Sequence, residues 1–225
     1  MTNIPLKENI KLIKIFSSLN EEEINLIQKF SSKISFSKNT IICLSGEPAT
    51  YFAGIINGKL KVSSFSESGK EIAFHYLYPG DCFGEMSIFD NESTRSATIT
   101  SLSQSDIIII KNKDFINLMK EMPSIFFKIG KILSERLRHS NKKIELLCFC
   151  SLKRKVTDYL IECCEKENYY TCSQKEIVEF TGASRESISR VISELRQNGI
   201  ITKESKKDNF KIDLEKLKTY SETSE

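Results

Sequence analysis

Two stretches of this chain concentrate the side chains that can do chemistry. In DCFGEMSIFDNESTRSAT, residues 81–98, Gly84 and Glu85 are followed ten residues after the glutamate by Arg95 and Ser96, with hydroxyls around them. Backbone N–H groups over Gly84, Glu85, Met86 and Ser87 can hold a small anion, with Arg95 adding a charge-assisted fork and Ser96 a hydroxyl. Glu85 can accept hydrogen bonds from a sugar hydroxyl. One arginine and one carboxylate are what a phosphate joined to a ribose requires, although the same pair also reads as a structural salt bridge across a loop.

The second stretch is SQKEIVEFTGASRESISRVISELRQNGII, residues 173–201. Ser173 and Glu176 form a capping box that opens a short helix. Thr181-Gly182-Ala183 is a tight turn, and Ser184 caps a second helix that stops at Asn198-Gly199. Two helices joined by a glycine turn make a helix-turn-helix. In the second helix Ile188, Val191, Ile192 and Leu195 point inward, while Arg185, Glu186, Ser189, Arg190 and Ser193 point outward. Arg grips guanine O6 and N7, Glu accepts from cytosine N4, and Ser bonds a base or a phosphate. These polar residues cluster in the first two turns, where a recognition helix reaches base edges; a merely solvated face would spread its charges along the whole helix. Residues 150–225 hold fourteen Lys and Arg against fourteen Asp and Glu, so affinity for DNA must come from placed contacts. Ser173, Gln174 and Lys175 at a helix N-terminus are candidates, as is the turn from Lys203 to Lys211 acting as a basic wing on phosphates.

Other chemistries are poorly supplied. No nucleophile–base pair or Walker-type loop is present, so an enzyme is not expected. The seven cysteines are odd in number and lack a CxxC pair, and only His75 and His139 could join them. That argues against a disulfide framework or a metal site and for free thiols, buried or half-buried, although the CFC and CC pairs could respond to oxidants. The net charge is +3. The longest aliphatic run, Ile107 to Ile110, is far below the ~20 residues of a membrane span, and the N-terminus lacks the apolar core of a secretory signal. A cytoplasmic protein with no membrane partner is expected.

Positioning these residues falls to three parts, expected at 1–122, 123–149 and 150–225. Asn20 and Glu23 mark a capped helix. From Ser32 to about Ile110 turns such as SerGlyGluPro (45–48), AsnGly (57–58), GluSerGly (67–69) and ProGlyAsp (79–81) recur at roughly ten-residue intervals, as in a sandwich, jelly roll or barrel. Between them Leu60 and Val62, then Ile72, Phe74, Tyr76 and Tyr78, alternate as half-buried strand faces. The stretch from Pro123 to about Phe149 reads as one helix of roughly 35–40 Å. Its seam of Phe126, Gly130, Leu133, Leu137, Ser140, Ile144 and Leu147 steps at 3.5 residues, the period of a helix lying along a partner, most simply a second copy. Ile125, Ile129 and Ile132 would hold the helix to its own domain. A single long helix buried in a monomer is the competing interpretation. Ile200-Ile201 and Phe210–Ile212 would pair as the strands of the wing.

FGEMSIFDNESTRSAT resembles the phosphate-binding cassette of cyclic-nucleotide-binding domains. From Leu12 to about Tyr220 the chain is similar to the cyclic-AMP receptor protein/fumarate–nitrate regulator (Crp/Fnr) superfamily of bacterial transcription factors. The resemblance implies an α+β fold: an N-terminal cyclic-nucleotide-binding β-roll, a long dimerisation helix and a C-terminal winged helix-turn-helix. It implies that Glu85 binds the ribose 2′-hydroxyl, that Arg95 and Ser96 bind the cyclic phosphate, and that Arg136, Ser140 and Asn141 lie beside the nucleotide, Asn141 from across the dimer. Asn141 replaces the second hydroxyl of the cyclic-AMP receptor, which leaves the base open between cyclic AMP and another cyclic nucleotide. SRESISR resembles the superfamily's recognition helix: Arg185, Glu186 and Arg190 match readers of a TGTGA-like half-site, while Ser189 matches the E-x-x-S-R variant that reads TTGAT. Double-stranded DNA, a second copy and RNA polymerase are the partners implied. Some members lack a nucleotide and respond to redox or another signal. The iron–sulfur branch is poorly matched, since no cysteine precedes Cys43, and His75 on a strand is the one residue that could serve a haem branch.

Overall fold

In a computed structural model, residues 5–89, 94–167, 171–203 and 209–222 are described. Two compact units result. One comprises Met1–Ser64 with Ala73–Arg136, the other Phe65–Ile72 with Leu137–Glu225.

The first unit opens with α1 (Leu6–Leu12) and α2 (Glu21–Phe30), the latter started by the Asn20–Glu23 capping box. Eight strands follow: β1 (Ser31–Phe36), β2 (Ile41–Cys43), β3 (Tyr51–Asn57), β4 (Leu60–Phe65), β5 (Glu71–Leu77), β6 (Cys82–Phe83), β7 (Thr98–Ser101) and β8 (Ser105–Lys111). The one-turn helix α3 (Met86–Phe89) interrupts them after β6, and α4 (Asn112–Glu121) and α5 (Pro123–Phe149) come after β8. The strands form two four-stranded sheets, ordered β1-β8-β3-β6 and β2-β7-β4-β5, which face each other as a roll. Gly58 shows why the AsnGly turn is needed: its φ is +95° and an added Cβ would lie 2.7 Å from the Cα of Ser105.

The aliphatic run in β8 has a structural reason, because its sheet is covered on both faces. Ile107 joins Ile55, Leu60, Val62, Leu77 and Ile99 between the sheets. Ile108 and Ile110 join Ile10, Ile24, Phe115, Ile125 and Ile129 under the helices. In that second layer the Phe52 and Phe115 rings stack 4.0 Å apart at 2°, with Phe16 edge-on to both.

One alternation reads differently in three dimensions. The bulky set on β5 and just after it lies outward: Phe74 is 40% exposed, and Tyr76 and the following Tyr78 pack their rings under the Lys59 ammonium. The buried residues of that strand are Ala73 and Leu77. Aromatic size favours either face of a pleated strand, and here a cation cover decides it.

The second unit contains the end of α5, then α6 (Leu152–Glu167), β9 (Thr171–Ser173), α7 (Gln174–Thr181), α8 (Arg185–Gln197), β10 (Ile201–Lys203), β11 (Asn209–Ile212) and α9 (Leu214–Glu222). The small sheet is ordered β10-β11-β9, which pairs the expected wing strands. Most of the wing turn lies outside the described residues. Val156, Tyr159, Leu160, Ile177, Phe180, Ile188, Val191, Ile192 and Leu195 are buried. Among the cysteines Cys148 departs from the sequence reading: it is exposed, whereas Cys43, Cys82, Cys163 and Cys164 are buried and Cys150 is intermediate.

Replacing Phe115 by Ala removes one of the two stacked rings of the three-ring cluster. The expected loss is about 3–5 kcal/mol of stability, read as a lower denaturant midpoint at unchanged slope; a loss under about 1 kcal/mol would contradict the packing described.

Candidate functional site

The cassette folds into the mouth of the roll because β6 ends at Phe83 and the chain turns sharply at Gly84. Its φ of +85° suits glycine, and an added Cβ would stand 2.5 Å from Arg95 Nη1 and 2.7 Å from the Tyr51 carbonyl oxygen. Glu85 and Arg95 are 1% and 5% exposed. Arg95 lies with its guanidinium 4.3 Å over the Tyr51 ring and donates from Nη2 to the Tyr51 carbonyl at 2.9 Å. Its Nη1 is buried without a hydrogen-bond partner. Glu85 is not paired with Arg95. Its Oε1 accepts from Arg136 Nη1, and Arg136 Nη2 donates to the Cys82 carbonyl at 2.6 Å. Glu85 Oε2 is also buried and without a partner.

Both atoms belong to residues that line a cavity of about 70 Å³, whose walls also include Gly84, Met86, Ser87, Thr94, Ser96 and Arg136. Ser87 donates its hydroxyl to the Gly84 carbonyl at 2.9 Å, and the Ser96 hydroxyl lies 3.7 Å from the Met86 sulfur. Buried polar atoms left unpaired cost about 1–3 kcal/mol each; here a donor and an acceptor border one cavity. Ser140 and Asn141, placed beside the nucleotide by resemblance, are exposed positions further along α5. The strand wall holds what the sequence reading missed: Val62, His75, Leu77 and Ile99. The signal was the alternate set Ala73-His75-Leu77, hidden by its bulkier neighbours. The Cys82 thiol is pushed up to about 12 by burial, which keeps it protonated.

Helix α5 buries only one side. Ile125 and Ile129 are fully buried, while Phe126, Leu137 and Ile144 are 52%, 64% and 58% exposed. The Phe126 ring meets Phe89 of the cassette helix edge-on at 5.7 Å.

In the helix-turn-helix, caps set both helices. Ser173 caps α7 in a reciprocal box with Glu176, Gly182 ends that helix at φ +69°, and Ser184 accepts from the Ser187 N–H to start α8. Gln174 Nε2 donates to the Arg185 carbonyl at 3.2 Å, and Lys175 lies 3.6 Å from Glu179. Ser173 and Ser184 therefore have structural work as caps. Arg185, Glu186, Ser189 and Arg190 are exposed together. Hydrogen bonds from its own N–H and from Ser184 hold the Glu186 carboxyl below the usual range, so it is an ionised acceptor. One flank of α8 is tied down at Glu194, whose Oε1 accepts from Lys153 at 2.5 Å and from the Tyr220 hydroxyl at 2.6 Å.

A family model for the cyclic nucleotide-binding domain matches residues 33–122, and one for the Crp-like helix-turn-helix domain matches residues 154–220. The chain belongs to the Crp/Fnr superfamily of transcription regulators.

Among curated Crp/Fnr relatives is the cyclic AMP receptor protein of Thermus thermophilus, 24% identical over 189 residues, covering 83% of this chain and 87% of that protein. The cAMP-activated global transcriptional regulator CRP of Haemophilus influenzae is 29% identical over 173 residues, 73% of this chain and 77% of that protein. Among solved structures, a putative regulator of the Crp/Fnr family from Eubacterium rectale aligns with a TM-score of 0.76 at 21% identity, covering 94% of this chain and 99% of that one. The c-di-GMP responsive regulator CLP of Xanthomonas campestris gives 0.77 at 20%, covering 86% and 99%. These likenesses establish a shared fold. Like its relatives, this Crp/Fnr chain is a DNA-binding regulator with a cyclic-nucleotide-binding domain. Among the described residues no His/Cys/Asp/Glu group could hold a metal, and no helix is long and apolar enough to cross a membrane.

The second unit supplies a pH test. Lys143 of α5 sits 4.0 Å over the Phe180 ring, and burial pushes its ammonium down to about 8 against the pull of Glu162. An unfolded lysine keeps its proton to about 10.4. Between pH 8 and 10 the unfolded chain thus binds the extra proton, and this group's contribution to stability rises with pH. Denaturant unfolding at pH 7.5 and 9.5 should show that contribution in wild type and lose it in Lys143→Met; equal pH responses would refute it.

Proposed function

We propose that this chain is a homodimeric regulator whose roll takes a cyclic nucleotide and whose two recognition helices read a pseudo-palindrome. The observation that carries the ligand reading is the pair of buried, unpartnered atoms, Arg95 Nη1 and Glu85 Oε2, bordering one cavity. A cyclic phosphate accepts from the first and a ribose hydroxyl donates to the second. Ser96 and the backbone from Gly84 to Ser87 complete the phosphate end, and Arg136 holds Glu85 in place. Ser140 and Asn141 are then the base contacts from α5, one from each copy.

At about 70 Å³ the cavity is below the ~300 Å³ of an ordinary ligand pocket. Ligand entry therefore requires the Met86 side of the cassette to move. Phe89 carries that movement to Phe126, the first residue of the exposed seam. The seam residues Leu137 and Ile144 pack on a second α5, so the cassette shift changes the spacing of two DNA heads. A ligand that prefers the DNA-competent spacing shifts the population toward it. Each α8 enters a major groove one turn from its twin. Arg185, Glu186 and Arg190 read a TGTGA-like half-site, and Ser189 admits the TTGAT variant; Ser173, Gln174, Lys175 and Ser184 lie at helix starts facing phosphates. RNA polymerase is the partner through which such a dimer acts, in the cytoplasm.

Calorimetry with cyclic AMP and cyclic GMP should give heat with at least one, and Arg95→Ala should weaken it by 100-fold or so, as expected for a charge-assisted bond of about 3 kcal/mol. Silence from both nucleotides would defeat the ligand reading, and leave a regulator of the same fold answering to redox or another signal.

Sedimentation at micromolar concentration should show a dimer, and the double substitution Leu137→Lys with Ile144→Lys should yield monomers that lose preference for a palindromic duplex. A monomeric wild-type protein would end the account of linked heads.

A further inference from the structure

The second unit contains a cleft that neither the cassette nor the DNA-reading face of α8 uses. Its walls come from the last turns of α5 and from α6, and Phe180 of α7 completes the lining. Every residue that lines it belongs to that unit. Its volume of about 540 Å³ falls within the ~300–1,000 Å³ of small-molecule sites. The α5 residues that line it, Lys142, Lys143, Leu146 and Phe149 among them, lie on a different side of the helix from the seam residues Ile144 and Leu147. A partner packed along the seam therefore leaves the cleft open.

Two features say what fits there. Lys143 is half-buried, with its ammonium 4.0 Å over the Phe180 ring, and that ring is backed by Tyr159 at 4.4 Å. Burial pushes this ammonium down to about 8 despite the pull of Glu162, so its surroundings compensate the charge only in part. Two carboxylates of the cleft are already engaged with bases: Asp158 lies 2.9 Å from Arg154 Nε, and Glu162 lies 3.0 Å from His139 Nε2. Glu145 and Lys142 are exposed. An incoming anion thus meets one fixed cation that gains from a charge-assisted bond. The second feature is Phe149 at 85%, the most exposed large apolar side chain among the described residues. Together with Leu146 it gives the cleft an apolar surface suited to a flat ring.

We propose that this cleft is a second small-molecule site, taking a small aromatic carboxylate with its acid group on Lys143 and its ring against Leu146 and Phe149. The bound acid joins the end of α5 to α7, the first helix of the helix-turn-helix, so its occupancy bears on how firmly α7 is held. The site stands apart from the cassette and does not depend on which ligand the roll takes.

The chain contains no tryptophan, so an indole probe can be followed by its own emission on the full-length protein. Indole-3-acetate should bind with a change in emission, and its uncharged analogue indole-3-acetamide should bind about tenfold more weakly. Lys143→Met should bring the acid down to the level of the amide, with thermal melts confirming folding. Phe149→Ser, at an exposed position, should weaken both probes about threefold or more. Four results overturn the proposal, whatever the roll binds: no emission change with indole-3-acetate, equal binding of acid and amide to wild type, a preference for the acid that survives in Lys143→Met, or binding to Phe149→Ser within about twofold of wild type.

Discussion

Two opposite charges buried at the mouth of a β-roll set the terms for the first unit. Glu85 and Arg95 are almost fully inside the protein, a position that charged groups take only when paired. They are not paired with each other. Tyr51 receives Arg95 under its ring and through its carbonyl, and Arg136 of the long helix reaches back to Glu85. Each charge therefore has part of its hydrogen-bonding capacity satisfied by scaffold and one atom left over. A self-contained salt bridge would have used both and closed the cavity. Two unpaired buried atoms beside one cavity cost stability at this point.

The long helix shares in that arrangement. Its Ile125 and Ile129 are anchored in the helical layer of the core, Arg136 enters the cavity wall, and the face carrying Phe126, Leu137 and Ile144 is left open. A helix can present three directions only because its side chains advance 100° per residue. The same element is thus core and site wall, and it keeps a further apolar face open. Phe89 against Phe126 puts the cassette in direct touch with the open face.

In the second unit precision replaces charge. Capping serines start both helices, Gly182 ends α7, and Lys153 and Tyr220 grip Glu194 on a flank of α8. Groups so held lose little entropy on meeting DNA, which suits a domain whose charges balance.

Much of this was legible in the sequence, because the relevant signals are local. Capping boxes at Asn20 and Ser173, the glycine turns and the inward face of α8 each depend on residues within a few positions of one another. Closeness in sequence grouped Gly84, Glu85, Arg95 and Ser96, and the resemblance to a phosphate-binding cassette gave the group its roles. What the sequence left undecided depends on residues distant along the chain. Whether Glu85 pairs with Arg95 or with Arg136 is settled by where α5 passes. Which face of β5 is inside is settled by Lys59 covering Tyr76 and by the opposing sheet, and that turned His75 toward the cavity against the bulkier alternation. Period fixes which side chains share a face; only the packing of other elements decides which face is buried.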